Sequence, residues 1–96
     1  MAVLTLIEGK IKPQRANDLT RLLRDLLPST RSFAGCKSVA ADLSEDGGSF
    51  LLVEHWDSKE AQQKYMAWRM TTEHGKQLGT LLDGALSARY FNPLDI

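Results

Sequence analysis

Apolar and polar positions along the chain switch between two periods, and each switch marks an element. Residues 2 to 10, "AVLTLIEGK", are apolar and β-rich and predict a first strand. In "KPQRANDLTRLLRDLLP", Ala16, Leu19, Leu22, Leu23 and Leu26 recur at helical spacing and form one apolar stripe. Pro13 suits the first turn of that helix, where its missing N–H costs nothing, and Pro28 is the expected stop. Arg21 and Arg24 lie off the stripe and are expected in solvent.

A loop through Arg31, Phe33 and Gly35 leads to "CKSVAADL", a second strand. The turn "SEDGG" offers Asp46, Gly47 and Gly48 for positive φ, and "SFLLVEHWD" follows as the third strand of a hairpin. Asp57 is the expected N-cap of a second helix, with Glu60 completing a capping box. That helix is expected to run from about Ser58 to about Glu73 and to end at Gly75. "KQLGTLLDG" predicts one more short helical piece closed by Gly84. "ALSARYFN" predicts a last strand, ended by Pro93.

The order β-α-β-β-α-β defines an α+β, ferredoxin-like fold: an antiparallel sheet with helices on one face. Residues 1–96 read as a single domain. Nothing is left in the chain to cover the second sheet face, so a second copy is the expected cover, and a homodimer follows. Size agrees, because a chain of 96 residues buries only about 60–65% of its unfolded surface.

Composition then narrows the function classes. Twelve Lys and Arg balance twelve Asp and Glu, a charge pattern unlike that of a nucleic-acid binder. No apolar run reaches the roughly 20 residues of a membrane span. The first residues carry no basic leader, and a cytoplasmic location is expected. The single Cys36 reads as a small inert hydrophobe and leaves no intrachain disulfide. Two histidines 19 residues apart give no metal-ligand spacing, so no metal and no cofactor are expected.

The chemistry concentrates in "EHWDSKEAQQKYMAWRMTTEHG", residues 54 to 75, which hold both tryptophans and both histidines. Alternation puts Phe50, Leu52, Glu54 and Trp56 on one face of the third strand, and Leu51, Val53, His55 and Asp57 on the other. On the second helix Ala61, Tyr65, Trp68 and Thr72 share a face flanked by Arg69. Tyr65, Trp68 and Arg69 should therefore project together near Trp56. Two readings stay open, a core or dimer seam of large residues and a pocket lining. Met66 and Met70 read as core filler, and Glu54 is expected to pair with a basic residue across the sheet or the dimer.

"FLLVEHWDSKEA", residues 50 to 61, resembles the signature of the antibiotic biosynthesis monooxygenase superfamily of dimeric α+β barrels. The matching positions are Phe50, Glu54, Trp56, Ser58, Glu60 and Ala61; the opening strand, Pro13 and Gly35 extend the likeness over nearly the whole chain. One departure is plain: many members place a histidine four residues after the helical alanine, where this chain has Tyr65. The superfamily also holds haem-degrading enzymes, isomerases and members with no known reaction.

The resemblance implies cofactor-free oxygenation of a small electron-rich aromatic such as a phenol, anthrone or quinol. An ionised phenol or enol can pass an electron directly to O2. The protein must then accept a proton, keep the anion in a dry pocket and stabilise reduced oxygen. On that reading His74 or His55 is the base, Arg69 or Arg89 steadies the anion, and Tyr65 belongs to the catalytic group. Trp56, Trp68 and Arg89 contact the substrate. Haem binding is a lesser alternative, because the first strand lacks the asparagine of the haem-degrading branch. A non-catalytic dimer that binds a small hydrophobic ligand is the other.

Overall fold

Leucines spaced three and four apart, and strands that alternate buried with open positions, build a four-stranded antiparallel sheet with three helices on one face. The computed structural model describes residues 2–96. Its elements are β1 (Val3–Lys10), α1 (Ala16–Arg31), β2 (Cys36–Leu43), β3 (Ser49–Trp56), α2 (Lys59–Arg69), α3 (Glu73–Leu81) and β4 (Ser87–Phe91). Strand order is β2-β3-β1-β4. This is the expected ferredoxin-like arrangement with the extra helix before the last strand. Among the described residues no helix is long and apolar enough to cross a membrane.

Register decides which side chains meet. β1 pairs with β3 from Val3 opposite Trp56 to Lys10 opposite Ser49. β4 adds to the free side of β1, placing Tyr90 opposite Thr5 and Ala88 opposite Ile7. On the helix side a transverse row therefore reads Val39, Glu54, Thr5, Tyr90, and the next reads Leu52, Ile7, Ala88. The larger core lies under α1 and α3, around Ile7, Leu19, Leu26, Phe50 and Leu78. A smaller core of Val3, Trp56 and Tyr65 lies under α2.

Four local expectations are corrected. Pro13 lies outside α1, in a turn closed by Arg15 N–H donating to Lys12 O at 3.2 Å. Proline's fixed φ suits the second residue of that turn, and Gln14 follows it at φ 66°. Pro28 does not stop α1, which continues to Arg31. Proline removes the N–H that would have reached Arg24 O, but Arg24 and Pro28 both face solvent, where water can take that carbonyl. The buried contacts of Thr30 hold the final turn in place.

The cap of α2 is Ser58 rather than Asp57: its hydroxyl accepts from Ala61 N–H at 3.1 Å. The helix ends at Arg69, and Gly75 lies in the first turn of α3 instead of terminating α2. Thr72 caps α3 by accepting from Gly75 N–H at 3.1 Å. A Cβ at Gly75 would fall 2.0 Å from Arg69 O. Glycine is needed here because two helix ends cross almost backbone to backbone.

Candidate functional site

Tyr65 and Arg69 are one turn apart on α2, and both point down into the C-terminal end of α1. Arg69 is only 3% exposed and Tyr65 4%. Arg69 Nε donates to the Tyr65 hydroxyl at 2.9 Å, while Nη2 reaches Ser29 Oγ at 2.7 Å, Thr30 Oγ1 at 3.2 Å and Leu26 O at 3.2 Å. The Tyr65 and Thr30 hydroxyls are 2.5 Å apart. Among the described residues no carboxylate pairs with Arg69. Its charge is met instead by a carbonyl and hydroxyls at the negative end of α1.

Aromatic rings pack around this node. Phe33, from the α1–β2 loop, lies 5.3 Å from both Tyr65 and Trp68 and 6.4 Å from Trp56 by ring centroids. Trp56 is fully buried and Trp68 is 39% exposed, with the Arg69 guanidinium 4.7 Å from the Trp68 ring. The structure thus brings Trp56, Tyr65, Trp68 and Arg69 together, as expected. It gathers them at a junction of α2 with the α1–β2 corner, and none of the four lines the main apolar cavity.

That cavity, of about 400 Å³, opens on the other side of α2, between α2, α3 and the sheet. Met66 on α2 and Met70 at its C-cap, four residues on, face Gly75 and Gly79, one turn apart on α3, over a floor of Ile7 and Ala88. Two facing ridges, one flexible and one without side chains, leave the space open. A Cβ built at Gly79 meets nothing within 4 Å. The volume lies in the range of small-molecule sites, and the walls are almost wholly apolar. Met66, Met70 and Gly79 were missed as pocket residues. The Met and Gly pairs at i,i+4 were the available signal.

The other candidates sit apart. His74 is in the first turn of α3. His55 is exposed on the far face of the sheet, its Nδ1 3.1 Å from Ser38 Oγ. Arg89 is also on the far face, opposite Leu6 and stacked 5.5 Å from the Phe91 ring.

One further group was not read from the sequence as a unit. Glu54, Gln62, Thr5 and Tyr90 form a polar cluster between sheet and α2. Among the described residues Glu54 takes no basic partner across the sheet; its Oε1 accepts from the Trp56 indole N–H at 2.9 Å. Burial pushes its pKa up, against the pull of the Trp56 and Gln62 groups facing it. Tyr90 O–H donates to Gln62 Oε1 at 2.6 Å. Burial and the nearby Glu54 raise the Tyr90 pKa as well. Thr5 Oγ1 and Gln62 Nε2 are buried with no hydrogen-bond partner.

Comparison with known proteins agrees with this architecture. The family model for antibiotic biosynthesis monooxygenase matches residues 2–76. Rv0793 of Mycobacterium tuberculosis, whose monooxygenase name is itself provisional, is 29% identical over 84 residues, covering 88% of this chain and 83% of that protein. The structure of Rv0793 superposes with a TM-score of 0.78 at 26% identity, over 100% of this chain and 98% of that one. A provisionally named antibiotic biosynthesis monooxygenase from Deinococcus radiodurans shares the fold, with a TM-score of 0.79 at 23% identity over 98% and 94% of the two chains. PA3566 from Pseudomonas aeruginosa does so too, at 0.76 and 22% identity over 97% and 94%. The chain belongs to the antibiotic biosynthesis monooxygenase family.

Proposed function

We propose that this member of the antibiotic biosynthesis monooxygenase family oxidises a small, flat, electron-rich aromatic of the quinol or anthrone type with O2, in the apolar cavity under α3. The observation that carries the reading is the cavity itself: an apolar, ring-sized space, open on one side and walled by two methionines, glycines and aliphatic side chains. Such walls favour an aromatic ring and apolar O2 together.

The chemistry balances without an added reductant. An anthrone methylene and O2 give a ketone and water, with one oxygen atom entering each product and all four electrons drawn from the substrate. A quinol and O2 give a hydroxyquinone and water in the same way. Tyr65 and Arg69 act as positioning residues, because their bonds to α1 fix where α2 presents Met66 and Met70.

A second reading is passive binding of a hydrophobic metabolite. It draws on one observation: the cavity wall contains no titratable side chain. Both readings include a homodimer formed through the far face of the sheet. There Leu4, Leu6, Leu51 and Val53 are only half-buried, and Phe91 is 41% exposed.

Oxygen uptake by metal-stripped protein over a panel of anthrones and hydroquinones decides between them. Uptake above the spontaneous rate that Gly79→Leu abolishes, but Gly79→Ala does not, supports oxygenation in this cavity. Ligand binding without uptake across the panel favours the passive reading.

A further inference from the structure

Two of the chain's three methionines, Met66 and Met70, line the apolar cavity, and they differ in access. Met66 is half-buried, whereas Met70, at the C-cap of α2, is 45% exposed. The backbone of Met70 is fixed at the corner where α2 gives way to α3. Its N–H donates to Met66 O at 3.1 Å, and a Cβ at Gly75 would lie 3.3 Å from Met70 Cα. Met70 therefore sits at the mouth of the cavity, partly in solvent and partly in the wall.

Nothing else in that wall would welcome a polar atom. Apart from the two methionines it is made of isoleucine, leucine, alanine and glycine. Gly75 N–H, on the facing helix, is already bonded to Thr72 Oγ1 at 3.1 Å. An oxygen atom on the Met70 sulfur would thus find no donor among the lining side chains. It would turn toward water instead, and the side chain would leave the wall with it. A bound ring would lose that contact.

The proposed reaction also offers an oxidant. A quinol that passes two electrons and two protons to O2, with no oxygen inserted, gives a quinone and hydrogen peroxide. Methionine sulfur attacks the peroxide: the O–O bond breaks, one oxygen bonds to sulfur, and the other leaves as water. The sulfur gives up two electrons, and sulfoxide reductases reverse the change. Cys36, the chain's one thiol, competes weakly. It is half-buried, and burial pushes its pKa up, so it keeps its proton.

Resting on the proposed oxygenation in this cavity, we propose that Met70 is a site of reversible oxidation by peroxide. Its sulfoxide weakens binding of the flat apolar substrate, and reduction restores it. Met66, farther from solvent, keeps its thioether while Met70 reacts. Turnover that leaks peroxide then lowers the protein's own affinity for its substrate.

The test reads modification and binding, not turnover. Wild type, Met70→Leu and Met66→Leu are treated with hydrogen peroxide, and 1-methylnaphthalene binding is measured by equilibrium dialysis before and after. Cleavage after Lys64, Arg69 and Lys76 puts Met66 and Met70 in separate tryptic peptides, so mass spectrometry reads each alone. Met70 should gain one oxygen atom well before Met66 does. Wild-type affinity should then fall by about tenfold and recover after treatment with methionine sulfoxide reductase. Met66→Leu should behave as wild type, while Met70→Leu should keep its affinity through the same exposure. Oxidation of Met66 as fast as Met70 overturns the inference and leaves the cavity reading intact. So does an affinity unchanged by the Met70 sulfoxide, or lost equally in Met70→Leu. No binding by untreated wild type overturns both.

Discussion

Arg69 Nε donates to the Tyr65 hydroxyl at 2.9 Å, and the same guanidinium grips the end of α1 through Ser29, Thr30 and Leu26. Two residues that the sequence offers as catalytic are joined first to each other and then to a helix forty residues away. Arg69→Met should destabilise the protein by about 2–4 kcal/mol, because it leaves buried hydroxyls without their charged donor. Arg69→Lys should recover little of this, since an ammonium cannot reproduce the guanidinium fork. Tyr65→Phe should cost about 1–2 kcal/mol. Urea unfolding of the three variants measures all of these, and a near-neutral Arg69→Met would show that the node contributes little to folding.

Gly75 and Gly79, four residues apart on α3, should respond oppositely to alanine. At Gly75 the new Cβ would meet Arg69 O at 2.0 Å, so α3 must move and stability should fall by more than about 2 kcal/mol. At Gly79 the Cβ enters open space, and alanine should stabilise the helix by about 0.5–1 kcal/mol. Thermal melts read both signs directly.

Glu54 makes stability depend on pH in a definite direction. Its pKa in the folded protein lies above the ordinary glutamate value of 4.5, so the folded state holds the proton more tightly than the unfolded chain. Its contribution is complete below about 4.5 and is lost as pH rises through the folded pKa. Glu54→Gln should flatten the stability profile above pH 4.5 and retain the polar contact to Trp56. An unchanged slope in that window, measured by urea midpoint against pH, would contradict the assignment. Asp18 and Asp46, whose pKa values are lowered by hydrogen bonds, act oppositely and only at lower pH, as they protonate below 3.8.

The half-buried leucines on the far face of the sheet give a direct test of the homodimer. Wild-type protein should sediment at about twice 10.7 kDa. Leu51→Glu or Val53→Glu should convert it to monomer, because a carboxylate would be carried into an apolar seam. Monomeric wild-type protein at micromolar concentration would remove the dimer from the proposal.

Strand and helix order was legible from periodicity, and so were the faces of β3: Phe50, Leu52, Glu54 and Trp56 all turn inward. Helix ends were less legible, because they depend on contacts remote in sequence. Pro28 is a stop by local rules, yet α1 continues because Thr30 beyond it is pinned by Tyr65 and Arg69. Gly75 has the look of a terminator, but it serves a crossing of two helices that no local pattern encodes.

By itself the sequence determined the fold, the family likeness and the convergence of Trp56, Tyr65, Trp68 and Arg69. Each of these follows from spacing within one element or one motif. Only the tertiary structure decided that this cluster binds α2 to α1 while the cavity lies on the opposite flank, between Met66, Met70 and α3. A cavity is set by where side chains are missing across several elements. The buried polar row of Glu54, Thr5 and Tyr90, joined from above by Gln62, likewise exists only through strand register and helix docking. Residues far apart in the chain became one chemical group when the sheet closed beneath α2.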